Sequence, residues 1–174
     1  KTDIRGQVRI LYDILQILKE EMLELGNKSP EIYWSVENNS LGEAALIVID
    51  EMDEDKFPGE FLDEPKKRGA SRAIRKGFTT THKTKITACM KLKAWIESDK
   101  MEPLSKNLIR ELKTFVASGK SYQAKLGETD DLVSATLLCV RQIQVISRFD
   151  EQYETLLGES LDSDDYDMDP LPVI

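Results

Sequence analysis

Apolar residues recur at steps of three and four positions through the first 25 residues of the chain. This spacing places them along one face of an α-helix, which the following pair Gly26-Asn27 would end. The apolar positions are Ile4, Val8, Leu11, Leu15, Leu18, Met22 and Leu25. The pattern therefore predicts an amphipathic helix over residues 4–25.

A short run of β-branched and aromatic residues follows at positions 32–36, between turn-forming residues. Such a run predicts a buried β-strand, and Glu37 stands at its end. Ligands of open α/β sheets bind at the carboxyl ends of the strands, which makes Glu37 a candidate site residue. The alternative is that Glu37 is an ordinary solvated residue at a strand end.

Ser40 and Glu43 form an S-x-x-E capping box immediately before an apolar stretch. This motif predicts that a helix begins there and runs from residue 41 to about residue 53. Residues 60–63 then predict a short second strand. A helix between two strands is typical of a crossover connection, and it indicates an α/β fold.

The second half of the chain contains three further helical patterns. Thr81 can cap a helix that runs to about Ser98, and Ser105 can cap a shorter helix that continues through Val116. Residues 122–124 predict a small β-segment. Residues 65–81 lack periodicity and predict a long loop, which in compact domains is usually functional.

The last helical pattern is strongly apolar and begins at an acidic pair. Thr129 or Asp130 would cap this helix, which extends to about Ile146. Because apolar residues surround most of the helix, we expect it to lie against the sheet and to present Asp130 and Asp131 at the sheet surface. The alternative for this pair is an N-cap and a favourable partner of the helix dipole.

Length and composition suit one α/β domain. The chain has 174 residues, of which 40% are hydrophobic and 32% are charged, as in ordinary globular proteins. No apolar run approaches the roughly twenty residues that a membrane helix needs. We expect the domain to occupy residues 1–149 and an acidic C-terminal helix and tail to occupy residues 150–174.

The residue counts make several kinds of site unexpected within this chain. His82 is the only histidine, and we expect no Ser-His-Asp triad, no Cys-His pair and no His-based metal site. Cys89 and Cys139 stand in apolar helical patterns, and we interpret both as small buried hydrophobic residues.

Acidic and basic residues are concentrated in different segments of the chain. The last 25 residues hold nine acids and no Lys or Arg, which leaves 24 basic and 23 acidic residues in the first 149. Residues 50–64 hold eight acids and one lysine, whereas residues 65–93 hold ten Lys or Arg and no acid. A basic stretch of this purity is typical of a phosphate-binding surface, although a solvated loop and helix face would have the same composition.

Acidic candidates together with a basic surface suit metal-assisted hydrolysis of a phosphodiester. Carboxylates hold hard divalent cations such as Mg²⁺ or Mn²⁺, and two such ions about 3.5–4 Å apart can activate water and stabilise the departing 3′ oxygen. Lys and Arg would hold the DNA backbone, which carboxylates without a metal would repel.

Three motifs occur in an order that resembles a known family. They are the strand end at Glu37 with its turn to Gly42, the Thr- and Lys-rich helix start at residues 80–85, and the helix start at residues 129–132. Together they resemble the C-terminal nuclease domain of the large terminase subunit of tailed bacteriophages, most closely the T-even type. The resemblance covers roughly residues 9–146. It implies a ribonuclease-H-like (resolvase/integrase) mixed sheet flanked by helices, and an enzyme that cuts concatemeric double-stranded viral DNA with low sequence specificity during packaging.

The resemblance implies a role for each candidate residue. Glu37 corresponds to the second catalytic carboxylate of the family, and Asp131, with Asp130 beside it, corresponds to the third. These residues would also bind the metal, Mg²⁺ or Mn²⁺, with two ions in the complete site. The basic residues implied for the DNA groove are Lys66, Lys67, Arg68, Arg72, Arg75, Lys76, Lys83 and Lys85.

The first carboxylate of the family belongs on a strand upstream of the first helix, and the chain begins too late to contain it. We therefore expect an N-terminally truncated domain that cleaves poorly by itself. Its implied partners are double-stranded DNA, the missing strands and ATPase domain of the same protein, the portal protein and the small terminase subunit. The implied location is the host bacterial cytoplasm, without a membrane. Two alternatives stay open, namely a non-catalytic DNA- or protein-docking fragment and a resolvase-like nuclease.

Overall fold

The computed structural model of the chain describes residues 2–65, 76–119 and 121–147, and it has a mixed α/β fold. The chain divides into two compact units, Lys1–Thr80 and Thr81–Ile174. None of the helices in the described ranges is long and apolar enough to cross a membrane. The predicted boundary between residues 149 and 150 lies outside these ranges and stays a prediction.

The first unit has its helices and strands in the predicted order, and β1 and β2 are parallel. Tyr33 lies opposite Glu60 and Trp34 lies opposite Phe61, with α2 as the connection between the two strands. The predicted helix–strand–helix–strand order is therefore confirmed. The elements are α1 (Ile4–Glu24), β1 (Tyr33–Trp34), α2 (Ser40–Glu51), a 3-10 turn (Glu54–Lys56) and β2 (Glu60–Phe61).

Aromatic side chains fill the core of this unit. Trp34 stacks on Phe57 with ring centroids 5.1 Å apart, and Phe61 meets Trp34 edge-on at 4.8 Å. Val8 and Leu15 of α1 are buried in the same cluster. Because β1 and β2 have only two residues each, side-chain packing contributes more to stability here than the strand pairing does.

The first turn of α2 differs from the predicted capping box. The N-cap is Asn39, whose side-chain oxygen accepts a hydrogen bond from Gly42 N at 2.9 Å. Asn39 N donates to the Glu37 carbonyl at 2.9 Å, so that the turn after the strand already orients Asn39 for this role. Ser40 is the first residue of the helix. The helix is confirmed, but the capping box of Ser40 and Glu43 is wrong.

The second unit begins with two helices whose predicted caps are confirmed. Thr81 and Thr84 form a capping box at the start of α3, and Ser105 Oγ accepts a hydrogen bond from Leu108 N at 3.3 Å at the start of α4. The elements are α3 (His82–Glu97), α4 (Lys106–Thr114), β3 (Phe115–Ser118), β4 (Ser121–Ala124) and α5 (Asp131–Ser147).

β3 replaces the last turn of the predicted helix. Phe115 pairs with Ala124 and Val116 pairs with Gln123 in an antiparallel hairpin, which turns at Gly119 with a φ of 61°. The prediction that the helix continues through Phe115 and Val116 is wrong, because the hairpin ladder satisfies the backbone groups of these residues. The predicted β-segment at residues 122–124 is confirmed.

Packing between helices forms the core of the second unit around α5. This helix contacts α3 and α4. The expectation that it lies against the sheet of β1 and β2, which belong to the first unit, stays a prediction. The buried residues of the core come from α3 and α5, and they are Ala88, Leu92, Trp95, Val133, Leu137 and Val140.

Candidate functional site

The strand that ends at Glu37 extends beyond the two residues of β1. Val36 O accepts a hydrogen bond from Phe78 N at 3.0 Å, and Asn38 N donates to Phe78 O at 2.7 Å. Glu37 and Phe78 therefore form a parallel bridge, and the Phe78 side chain is fully buried. These contacts hold the backbone of Glu37 at the carboxyl end of an extended segment.

The Glu37 carboxylate makes few contacts with the described residues. It is half-buried, and one oxygen accepts a hydrogen bond from Asn39 Nδ2 at 3.2 Å. Within residues 2–65, 76–119 and 121–147, no Lys or Arg forms an ion pair with it. Because a carboxylate offers about four lone-pair positions, most of its capacity to accept hydrogen bonds or a cation stays open.

Gly42 allows α2 to begin directly against this strand end. A Cβ at position 42 would overlap the Glu37 carbonyl oxygen and lie 3.3 Å from a Val36 methyl group. The absence of a side chain therefore lets the first turn of α2 pack onto the strand.

The base of the basic loop is fixed at the same strand end. Asp63 Oδ1 accepts a hydrogen bond from Gly77 N at 2.6 Å, and Asn38 Nδ2 donates to Lys76 O at 2.8 Å. Asp63 is thereby engaged with backbone and is less available to bind a ligand. Five of the predicted DNA-binding residues lie outside the described residues, namely Lys66, Lys67, Arg68, Arg72 and Arg75.

A buried glutamate occupies the N-terminus of α5. Glu111 on α4 is 6% exposed, and one of its oxygens accepts hydrogen bonds from Leu132 N at 2.8 Å and Val133 N at 3.2 Å. Its other oxygen accepts a hydrogen bond from Thr129 Oγ1 at 3.0 Å. Glu111 therefore satisfies the helix-terminal amides that an N-cap side chain would otherwise satisfy.

Asp130 and Asp131 have different surroundings. Asp130 lies 3.7 Å from Lys85 Nζ in a partly buried ion pair, and the same ammonium lies over the Phe115 ring at 5.4 Å from its centroid. Asp131 is exposed, and no basic side chain in the described part of the chain forms an ion pair with it. Since Glu111 performs the capping, Asp131 does not have to cap α5, and its interaction with the helix dipole is what the described residues offer it.

The described basic residues also divide into engaged and open side chains. Lys76 forms an ion pair with Glu54 and lies over the Phe61 ring at 5.4 Å from its centroid. Lys85 is held by Asp130. Lys83 is exposed, and in the described ranges it has no acidic partner. Of the three predicted DNA-binding residues that the structure describes, Lys83 is therefore the one whose charge is most available to a phosphate.

Potential metal ligands are not grouped within the described part of either unit. In the part of the chain that the structure describes, no group of three or more His, Cys, Asp or Glu side chains is arranged to hold an ion. Glu37 belongs to the first unit and Asp131 to the second, so that their convergence on a shared cation stays a prediction.

Glu111 was not among the predicted site residues, although its position in the sequence pattern of α4 indicated that it is buried. Glu111 follows Leu108 by three residues and precedes Phe115 by four, so that an acid stands on the apolar face of α4. An acid on such a face must be paired or must serve backbone donors when it is buried. The pattern therefore indicated a buried role for Glu111, though not its partners.

Comparison with known proteins adds no family to these observations. No protein-family profile matches the chain, and no curated protein shows significant similarity to its sequence. The functional assignment therefore depends on the side chains of the two units and on the motif order.

Proposed function

We propose that the chain is part of a metal-dependent DNA endonuclease, the nuclease domain of a viral DNA-packaging terminase with a ribonuclease-H-like fold. The motif order supports this proposal, since a strand-end acid, a helix with exposed lysine and a helix-start acid follow one another. The parallel pairing of β1 and β2 around α2 is compatible with such a fold.

One observation carries the proposal, namely that an exposed and a half-buried acid form no ion pair with the described residues. Glu111 performs the capping of α5, which removes the N-cap explanation for Asp131 and leaves its interaction with the helix dipole as the alternative. Glu37 keeps an open carboxylate at a strand end. Acids that do not stabilise the fold are candidates for ligand binding.

The chemistry requires a divalent cation. Mg²⁺ or Mn²⁺ would supply an activated water and would stabilise the leaving oxygen. No three acids, His or Cys among the described residues are arranged to hold such an ion. The role proposed for Glu37 and Asp131 is to contribute one carboxylate each to a site that further acidic groups complete.

Plasmid nicking by the protein tests the proposal. We expect Mn²⁺- or Mg²⁺-dependent nicking that falls by at least about a hundredfold in Glu37→Gln and in Asp131→Asn. The matched controls are Glu43→Gln and Glu128→Gln, exposed acids close to each candidate in sequence. Unchanged nicking in Glu37→Gln and Asp131→Asn, with circular dichroism showing folded proteins, would contradict the proposal.

A non-catalytic DNA-docking module is the second candidate. The Lys85–Asp130 ion pair favours it, because an acid already neutralised by lysine is a weaker metal ligand. This alternative predicts DNA binding without nicking in the wild-type protein at any concentration of Mn²⁺. It also predicts that Glu37→Gln and Asp131→Asn bind DNA as tightly as the wild type or slightly more tightly.

A further inference from the structure

α1 has two lines of apolar side chains, and among the described residues one of these lines is buried in the core of the first unit. Val8 and Leu15 are each 3% exposed and contribute to the core of the first unit. Ile10, Ile14 and Ile17 are 50%, 48% and 53% exposed, respectively. These three residues are spaced by four and three positions, so that they form one line on the helix surface. We call this line the apolar stripe of α1.

The apolar stripe of α1 is unusual for a solvated helix. Branched aliphatic side chains on consecutive turns form a contiguous patch, and such patches mark interaction surfaces when they are not isolated residues. The spacing of four and three residues is also the spacing at which helices pack against one another. The geometry of the stripe therefore suits an elongated apolar partner, with a helix as the simplest.

Acidic side chains continue the stripe toward the end of α1. Glu21 follows Ile17 by four residues and Glu24 follows it by seven, which places both carboxylates on the same line. Both are exposed, and neither forms an ion pair with a described residue. A partner that covers the stripe must therefore meet negative charge at one end.

We propose that the apolar stripe of α1 binds an amphipathic helix of another protein, one with an aliphatic face and with Lys or Arg where it meets Glu21 and Glu24. Contact with Ile10, Ile14 and Ile17 removes apolar surface from water, and the basic residues pair with the two glutamates. This interaction is separate from the proposed nuclease function, since it uses neither Glu37 nor Asp131.

Charge argues against a second copy of α1 as the occupant. A parallel pair would bring Glu21 and Glu24 against the same residues of the other copy. An antiparallel pair would bring them to the other copy's end with Asp3 and Arg5, where Arg5 already pairs with Glu51 at 2.5 Å. Anionic membrane surfaces and nucleic acids are likewise repelled by the two glutamates.

Binding of a synthetic helix measures the proposed interaction directly. The probe is a fluorescein-labelled amphipathic peptide of about 18 residues, with leucine on one face and lysine at its flanks. A second peptide carries glutamate in place of lysine. We expect the chain to bind the lysine peptide at least about tenfold more tightly, and the double variant Glu21→Gln/Glu24→Gln to lose this preference.

Substitutions in the apolar stripe test whether the peptide binds there or at another exposed apolar residue. The double variant Ile14→Ser/Ile17→Ser should weaken binding of the lysine peptide about tenfold or more, because its apolar contact is lost. Ile47→Ser is the matched control, since Ile47 on α2 is 61% exposed and lies off the stripe. Equal binding of both peptides, or binding unchanged in the stripe variant, would overturn the proposal. A dimer in sedimentation that the stripe variant abolishes would also overturn it and would assign the surface to a second copy.

Discussion

The Glu111 carboxylate on α4 accepts a hydrogen bond at 2.8 Å from the backbone amide of Leu132, the second residue of α5. This contact joins two residues that are 21 positions apart in the sequence, and it places the buried Glu111 carboxylate at the positive end of the α5 dipole. It also relieves Asp131 of capping, so that one glutamate both stabilises the second unit and leaves the candidate acid open.

The first prediction concerns the stability of this junction. Glu111→Ala should lower the free energy of unfolding of the second unit by about 2–4 kcal/mol, because one buried and one partly buried amide lose their acceptor. Glu111→Gln keeps an acceptor oxygen but removes the charge, and it should cost about 1 kcal/mol. Hydrogen exchange of the α5 amides measures both effects, with the exposed Glu128→Ala as control. Equal protection of Leu132 and Val133 in Glu111→Ala and wild type would contradict the assigned role.

The second prediction concerns the contact between α2 and the strand end. Gly42→Ala should destabilise the first unit by about 1–3 kcal/mol, because the added methyl group would overlap the Glu37 carbonyl oxygen. This oxygen belongs to the backbone, which cannot turn aside as a flexible side chain could. Leu41→Ala is the control, because Leu41 is 68% exposed on the adjacent position. Denaturant unfolding followed by hydrogen exchange of α1 and α2 measures the difference. If Gly42→Ala were as stable as Leu41→Ala, α2 could not begin against Glu37 as described.

Helix caps are the part of the fold that sequence predicted best. Thr81 and Ser105 were recognisable because each satisfies amides within three residues of itself, and that interaction needs no distant partner. The same logic placed the α2 start at Ser40, where the neighbouring Asn39 is an equally good cap. The hydrogen bond from Asn39 N to the Glu37 carbonyl makes Asn39 rather than Ser40 the cap. This turn depends on the strand before it, which a local capping motif does not reveal.

Long-range pairing accounts for what the sequence did not reveal. Phe115 and Val116 fit a helix pattern locally, but their partners Ala124 and Gln123 lie beyond the turn, and strand pairing outweighs local preference there. In the candidate site, Glu37 was accessible to prediction from its place after an apolar run. The Glu111 contacts were not, because they depend on the packing of α4 against α5.

The third prediction uses the thiol chemistry of Cys89. Burial raises the pKa of the Cys89 thiol from 9.0 to about 11, while nearby Lys85 opposes the rise. The thiolate is the reactive form, so that alkylation of Cys89 in folded Cys139→Ser protein at pH 8 should be about a hundredfold slower than in the unfolded chain. Its rate should keep rising with pH above 9 and level off near 11, whereas the unfolded chain levels off near 9. A folded-state plateau near pH 9 in iodoacetamide labelling would contradict this burial.

The fourth prediction separates an open lysine from an engaged one on the proposed DNA surface. Each phosphate contact contributes about 0.9 to the slope of log affinity against log salt, so that Lys83→Gln should lower this slope by about one contact. Lys76→Gln is the matched control, because pairing with Glu54 and the Phe61 ring already occupies its ammonium. Fluorescence anisotropy with a short labelled DNA duplex, between about 50 and 200 mM salt, measures the slope for each variant of the protein. An equal loss in both variants would mean that Lys76 leaves Glu54 to bind DNA, and no loss in Lys83→Gln would remove α3 from the DNA surface.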